Sequence, residues 1–207
     1  MIQSTLDKGM WEELRKGKQR ALKDIYEKYF EDLYHYGCCM CHDSSLVEDG
    51  IQDVFIDLFH YRSKISPPSN PKAYLISCLR RKLLSNLKKS RLFSLKPDAT
   101  DFLIEESLEK NLISQETDQR ILLKLKMALK KLTPRQKEII FLKFVKDMDY
   151  EAISEILDMS PASCRTLMYR TAKCLKEELN DLQILQNPSL QKSTFTQVLR
   201  TFLPVLF

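Results

Sequence analysis

The chain has 207 residues, with 33 Lys and Arg against 28 Asp and Glu for a formal net charge of +5. That length holds one ordinary domain or two small ones and excludes a large multidomain enzyme. With 4 Gly, 43% hydrophobic and 29% charged residues, the composition describes a soluble helical protein and excludes sandwiches, barrels, disordered chains and Gly-rich phosphate loops. There is no run of 18 apolar residues, and MIQSTLDKGMWEELRKGKQR has no apolar core. The chain is therefore expected to be cytoplasmic, without membrane insertion, and its six cysteines to stay reduced.

From Leu22 onward, Leu22, Tyr26, Tyr29, Leu33, Tyr36 and Met40 advance in alternating steps of four and three, the stripe of an amphipathic helix. After the polar break HDSS at 42–45, Ile51, Val54, Phe55, Leu58 and Phe59 repeat the spacing while Asp49, Gln52, Asp53 and Asp57 gather opposite. This predicts a second helix with an acidic face. The loop SPPSNP at 66–71 stops any helix, because its prolines lack amide donors. Asn70 as cap and Pro71 as first helical residue then start a third helix reaching about Lys89.

Charge is segregated along the chain. Between 80 and 96, Arg80, Arg81, Lys82, Lys88, Lys89, Arg91 and Lys96 face no acid, a pattern suited to a polyanion. Residues 97–118 carry Asp98, Asp101, Glu105, Glu106, Glu109, Glu116 and Asp118 against Lys110 alone, and 124–146 turn basic again. The middle stretch is expected to be a flexible acidic linker between two nucleic-acid-binding units.

Beyond it, Ile121 to Lys131 is helical, and Thr133-Pro134-Arg135-Gln136 combines cap, proline and Gln as a helix start running through Val145. Tyr150 to Leu157, the break Asp158-Met159-Ser160, and Pro161 to about Leu179 predict helix-turn-helix geometry. On the last of these helices Cys164, Met168, Ala172 or Thr171, and Leu175 share the packing face. Ser163, Thr166, Leu167, Arg170 and Lys173 share the other, where short hydroxyls and cations can meet base edges and phosphates in a major groove. The expected architecture is all-α, with domains over 1–96 and 121–186, a linker over 97–120 and a tail over 187–207. The apolar part of that tail is expected to pack on its own domain.

His35, Cys38, Cys39, Cys41 and His42 invite a zinc site, but His35 and His42 on one helix are about 10 Å apart along the axis. The expectation is therefore structural thiols and no metal. No Ser-His-Asp or paired-carboxylate constellation stands out either, so no cofactor, small-molecule substrate or intrinsic catalysis is expected.

LTPRQKEIIFLKFVKDMDYEAISEILDMSPASCRTLMYRTAKCLKEEL, Leu132 to Leu179, resembles region 4 of the extracytoplasmic-function group of sigma-70-type initiation factors. ALKDIYEKYFEDLYHY, VEDGIQDVFIDLFHYRSKI and NPKAYLISCLRRKLLSNLKK resemble region 2 of the same family, in its order. The resemblance implies partners: core RNA polymerase, promoter DNA and an anti-sigma factor. It places polymerase docking at Glu48, Asp49, Gln52, Asp53 and Phe55. It places capture of a flipped base of the −10 element, with promoter melting, at Lys64, Asn70, Lys72, Tyr74, Arg80, Arg81, Lys82, Asn86, Lys88 and Lys89. Reading of the −35 element falls to Ser160, Ser163, Arg165, Thr166, Leu167, Tyr169, Arg170 and Lys173. Three positions depart from the family pattern: Asp158 stands for the turn Gly, Leu167 for a frequent Arg or Lys, and Tyr74 for the usual Trp. A stand-alone helix-turn-helix regulator and a protein-only signalling adaptor are the alternatives.

Overall fold

The computed structural model describes residues 2–93, 102, 116–179 and 191–207, and every regular element among them is helical. Two compact units divide the chain, one built on residues 1–100 and the other on the bulk of 101–207.

The first unit contains α1 (Ile2–Arg15), α2 (Gln19–Met40), α3 (Ser44–His60) and α4 (Pro71–Phe93). Helix α1 lies ahead of the predicted elements. Trp11 and Leu14, one turn apart, are each 1% exposed, and Asp7 accepts hydrogen bonds from Lys28 and from the Tyr29 hydroxyl at 3.1 Å. Helix α2 buries Ala21, Ile25, Tyr29, Leu33, Tyr36 and Met40, while Leu22 and Tyr26 are only half-buried. The packing stripe is thus displaced by one residue over the first two turns. The physical reason is that α1, α3 and α4 all pack on α2, so the centre of its wide apolar face is set by three neighbours. Gly37 permits the closest approach: a Cβ there would collide with Val47 Cγ1 of α3. Asp43 caps α3 by accepting from Ser45 and Leu46 amides. Asn70 Oδ1 accepts from the Ala73 amide at 3.1 Å to begin α4 at Pro71, as the cap-plus-proline pattern predicts.

The second unit contains α5 (Glu116–Lys130), α6 (Pro134–Ile140), α7 (Tyr150–Leu157), α8 (Pro161–Glu178) and α9 (Gln191–Leu206). Thr133 and Gln136 close a capping box, with Gln136 Oε1 accepting from the Thr133 amide at 2.9 Å. The helix expected to run through Val145 instead widens after Ile140 into a π turn over Phe141–Val145, where the Lys146 amide reaches Phe141 O at 3.0 Å. The apolar C-terminal segment explains this local change. Helix α9 packs on the π turn, and the rings of Phe141, Phe207 and Phe102 form a cluster with centroids 5.3 to 5.8 Å apart. Val198, Leu199, Leu203 and Leu206 are buried. Phe102, inside the stretch expected to be a free tether, is therefore an anchored core residue. Helix α5 likewise takes in Glu116 and Asp118 from that stretch; the rest of 97–115, and Lys96, lie outside the described residues. Between α7 and α8, Asp158 adopts φ 51°, ψ 56°, the left-handed geometry otherwise suited to Gly.

Candidate nucleic-acid interface

On α3 the polar and apolar faces separate cleanly. Glu48, Asp49, Gln52 and Asp53 are exposed while Val47, Ile51, Val54 and Leu58 are buried. Phe55 differs from the sequence assignment: it is 6% exposed and its ring meets Tyr26 edge-on at 5.0 Å, so it supports the face from beneath. Ile56, absent from the expected set, is 64% exposed beside these carboxylates. Its place three residues after Asp53 is the signal that could have found it.

Cations predicted for nucleic acid divide into two kinds. Lys82 Nζ sits 2.8 Å from Asp57 and 3.6 Å from Asp53, and the Asp57 hydrogen bond holds its pKa above the ordinary lysine value. Lys72 pairs with Asp32 at 2.7 Å. Both were expected to face DNA, yet α3 and α2 supply carboxylates that neutralise them, a long-range pairing that no count along the chain reveals. Lys64 and Lys88 are exposed, and Arg80 and Asn86 are half-buried. The side chains of Lys89 and Arg91 lie outside the described residues. Asn70 is engaged in capping α4.

A cavity of about 420 Å³ opens between the end of α3, the following loop and α4. Tyr61, Ile65, Tyr74, Arg81, Lys82 and Ser85 are among its walls. Tyr61 is 48% exposed, and burial pushes the Tyr74 phenol up to about 12, so it stays protonated and neutral. Arg81 is steadied by Ser77 O at 3.3 Å and by Cys78 Sγ at 3.4 Å. Tyr61, Ile65 and Ser85 were not among the expected residues, because the cavity forms only when the loop folds back on α4. An apolar and aromatic pocket with a cationic rim suits a planar, unstacked ring attached to phosphate.

In the second unit, Cys164, Met168, Thr171 and Leu175 are the buried face of α8; Thr171, not Ala172, completes it. Ser163, Thr166, Arg170 and Lys173 are exposed, and Leu167 is half-buried. Ser160 caps the helix, accepting from the Ser163 amide at 3.1 Å with its hydroxyl 2.8 Å from that of Ser163. Arg165 turns toward α7, donating to Glu151 at 3.0 Å and lying 5.3 Å from the Tyr150 ring. Tyr169, 71% exposed, follows Arg165 by one turn. The stripe Ser163, Thr166, Arg170 and Lys173 is thus what α8 presents on one line.

Cys39 and Cys41 are buried and Cys38 half-buried, and none of the three is in a disulfide. Among the described residues no group of three His, Cys, Asp or Glu side chains is arranged to hold a metal ion. No described helix is long and apolar enough to cross a membrane.

Two family models match this chain: Sigma-70 region 2 over residues 25–92 and Sigma-70, region 4 over residues 122–175. Together they take in more than half of it. The chain is 24% identical over 165 residues to the ECF RNA polymerase sigma factor SigX of Bacillus subtilis (strain 168), covering 77% of this chain and 84% of that protein. It is 24% identical over 161 residues to SigM of the same organism, covering 77% and 96%. Among solved structures, CnrH in complex with the cytosolic domain of CnrY superposes with a TM-score of 0.55 at 16% identity, covering 84% of this chain and 97% of that one. The sigma factor RpoE of Bartonella quintana, in complex with the anti-sigma factor NepR, gives 0.55 at 19% identity, covering 77% and 96%. A stand-alone helix-turn-helix regulator would leave residues 25–92 without a counterpart, whereas both units here find theirs in order. The chain belongs to the sigma-70 family, as an extracytoplasmic-function factor that directs RNA polymerase to promoters in transcription initiation.

Proposed function

We propose that the first unit docks on core polymerase through Glu48, Asp49, Gln52, Asp53 and Ile56, and captures an unstacked base of the −10 element in the cavity walled by Tyr61, Tyr74 and Arg81. Lys64, Arg80 and Lys88 hold the flanking phosphates and help keep the strands apart. The second unit reads the −35 element through Ser163, Thr166, Leu167 and Tyr169, with Arg170 and Lys173 on phosphate. Arg165 stiffens the α7–α8 pair through Glu151. The half-buried, uncharged Leu167 suits apolar contact with a thymine methyl better than a guanine contact. The chain works in the cytoplasm and performs no chemical step itself; catalysis belongs to the polymerase. An anti-sigma factor is a further partner, a reading supported by the complex in which Bartonella quintana RpoE is found.

The observation that carries the proposal is the 420 Å³ aromatic cavity with Arg81 and Lys82 among its walls. The test is reconstitution. Mixed with core polymerase, the chain should give promoter-dependent transcripts. Glu48→Lys with Asp49→Lys should abolish co-purification while leaving helicity intact, because exposed carboxylates contribute little to folding. This pair leaves the Lys82 contacts undisturbed, which Asp53→Lys would not. Wild-type recovery of polymerase with the double variant would refute the docking face.

A further inference from the structure

Trp11 is the chain's only tryptophan. It lies on α1, ahead of residue 25 where the region 2 match begins, and it is 1% exposed. Its Nε1 is the one buried side-chain nitrogen or oxygen among the described residues that has no hydrogen-bond partner. Burying an indole N–H unpaired is unfavourable, and a Leu or Phe would fill apolar space without that cost. What the indole provides instead is reach: its ring meets Tyr74 edge-on, centroids 5.7 Å apart at 83°. Tyr74 in turn walls the cavity described above.

We infer that Trp11 is a positioning residue for promoter opening, which holds the Tyr74 ring in the orientation that receives the unstacked base. The inference rests on the proposed role of Tyr74. An edge-to-face contact restricts a tyrosine ring about both side-chain torsions, and Tyr74 is only half-buried, so without Trp11 its ring has room to turn away from the cavity. The remaining support is a hydrogen bond between the Tyr74 hydroxyl and Cys78, one turn along α4, and the backbone, where the Tyr74 amide donates to Asn70 O at 3.0 Å; the first tethers only the tip of the ring and the second only the main chain.

The experiment is a double-variant cycle on holoenzyme, reading the rate of strand opening on a promoter that the wild-type holoenzyme transcribes, alongside core co-purification and thermal melting. An aromatic pair of this kind corresponds to at most about tenfold in rate. Trp11→Leu should therefore slow opening by about fivefold to tenfold with core binding unchanged, and Trp11→Phe should restore most of the rate. On a Tyr74→Ala background, Trp11→Leu should change opening by less than about twofold, because the partner through which it acts is gone. Equal losses on both backgrounds, or a Leu variant that opens DNA at the wild-type rate, would overturn the inference. Should Trp11→Leu fail to melt cooperatively, the same cycle with Trp11→Phe decides: a small loss that persists on Tyr74→Ala overturns it, and one that vanishes supports it. Wild-type opening by Tyr74→Ala alone would instead remove Tyr74 from the strand site, a distinct failure of the underlying reading.

Discussion

Lys82 shows what a single residue's context does to its meaning. In the sequence it belongs to a run of seven bases without an acid; in the fold it bridges Asp57 and Asp53. An ammonium held by two carboxylates is a weaker phosphate ligand than a solvated one, so under the proposed reading Arg81 rather than Lys82 serves the cavity as phosphate ligand. Phe55, Asn70 and Ser160 show the same shift, since a ring packed on Tyr26 and two cap oxygens are engaged in folding. The thiols carry a testable consequence. Burial pushes both Cys38 and Cys164 above the ordinary thiol value, so the protonated thiol is the form the fold prefers. Their contribution to stability is complete below the usual thiol range of about 8.5 and is lost as pH rises through the raised values. Alkylation of native protein at pH 7.5 should label both far more slowly than in the unfolded chain; equal rates at either position would show a thiolate that burial does not suppress.

Helix boundaries were legible where the start signal is local. Thr133-Pro134 and Ser160-Pro161 each place a cap oxygen and a preset φ within four residues, and α6 and α8 begin where these patterns say. Asp158 takes the left-handed turn that its short side chain tolerates. The π turn and α1 were not legible, because both depend on partners distant in sequence: α9 for the first, Tyr29 and Tyr74 for the second. Helix α9 lies beyond the region 4 match, yet Leu203 is fully buried and Arg200 reaches Asp147 at 3.5 Å. It is therefore a structural cap on the π turn. Leu203→Ala should lower the stability of the second unit by about 2–5 kcal/mol, read as loss of its melting transition while the first unit is unaffected. An unchanged transition would show that α9 is dispensable to the fold and leave its apolar face to another role.

At the scale of the whole molecule, the proposed reading has both units engage promoter DNA, which makes affinity the sum of a phosphate contribution and a base-reading contribution. Arg170→Ala with Lys173→Ala should weaken holoenzyme binding about equally on all sequences and reduce the salt slope by nearly one for each phosphate no longer neutralised. Thr166→Ala and Leu167→Ala should instead change which upstream bases are selected, read by sequencing bound fragments. Unchanged selection with both variants would remove them from the reading face, and an unchanged salt slope would do the same for Arg170 and Lys173.

By itself the sequence determined the helical class, the two-part order, the helix-turn-helix and the family, because these rest on periodicity, caps and motif spacing that act within a few turns of chain. Tertiary structure alone decided that Lys72 and Lys82 pair with carboxylates of other helices, that Phe102 and α9 complete the second unit, and that Tyr61, Ile65 and Tyr74 line one cavity. Those outcomes depend on which faces meet across loops of many residues. Ion pairing and ring packing of that kind are fixed by three-dimensional proximity, to which neither local propensity nor charge counting is sensitive.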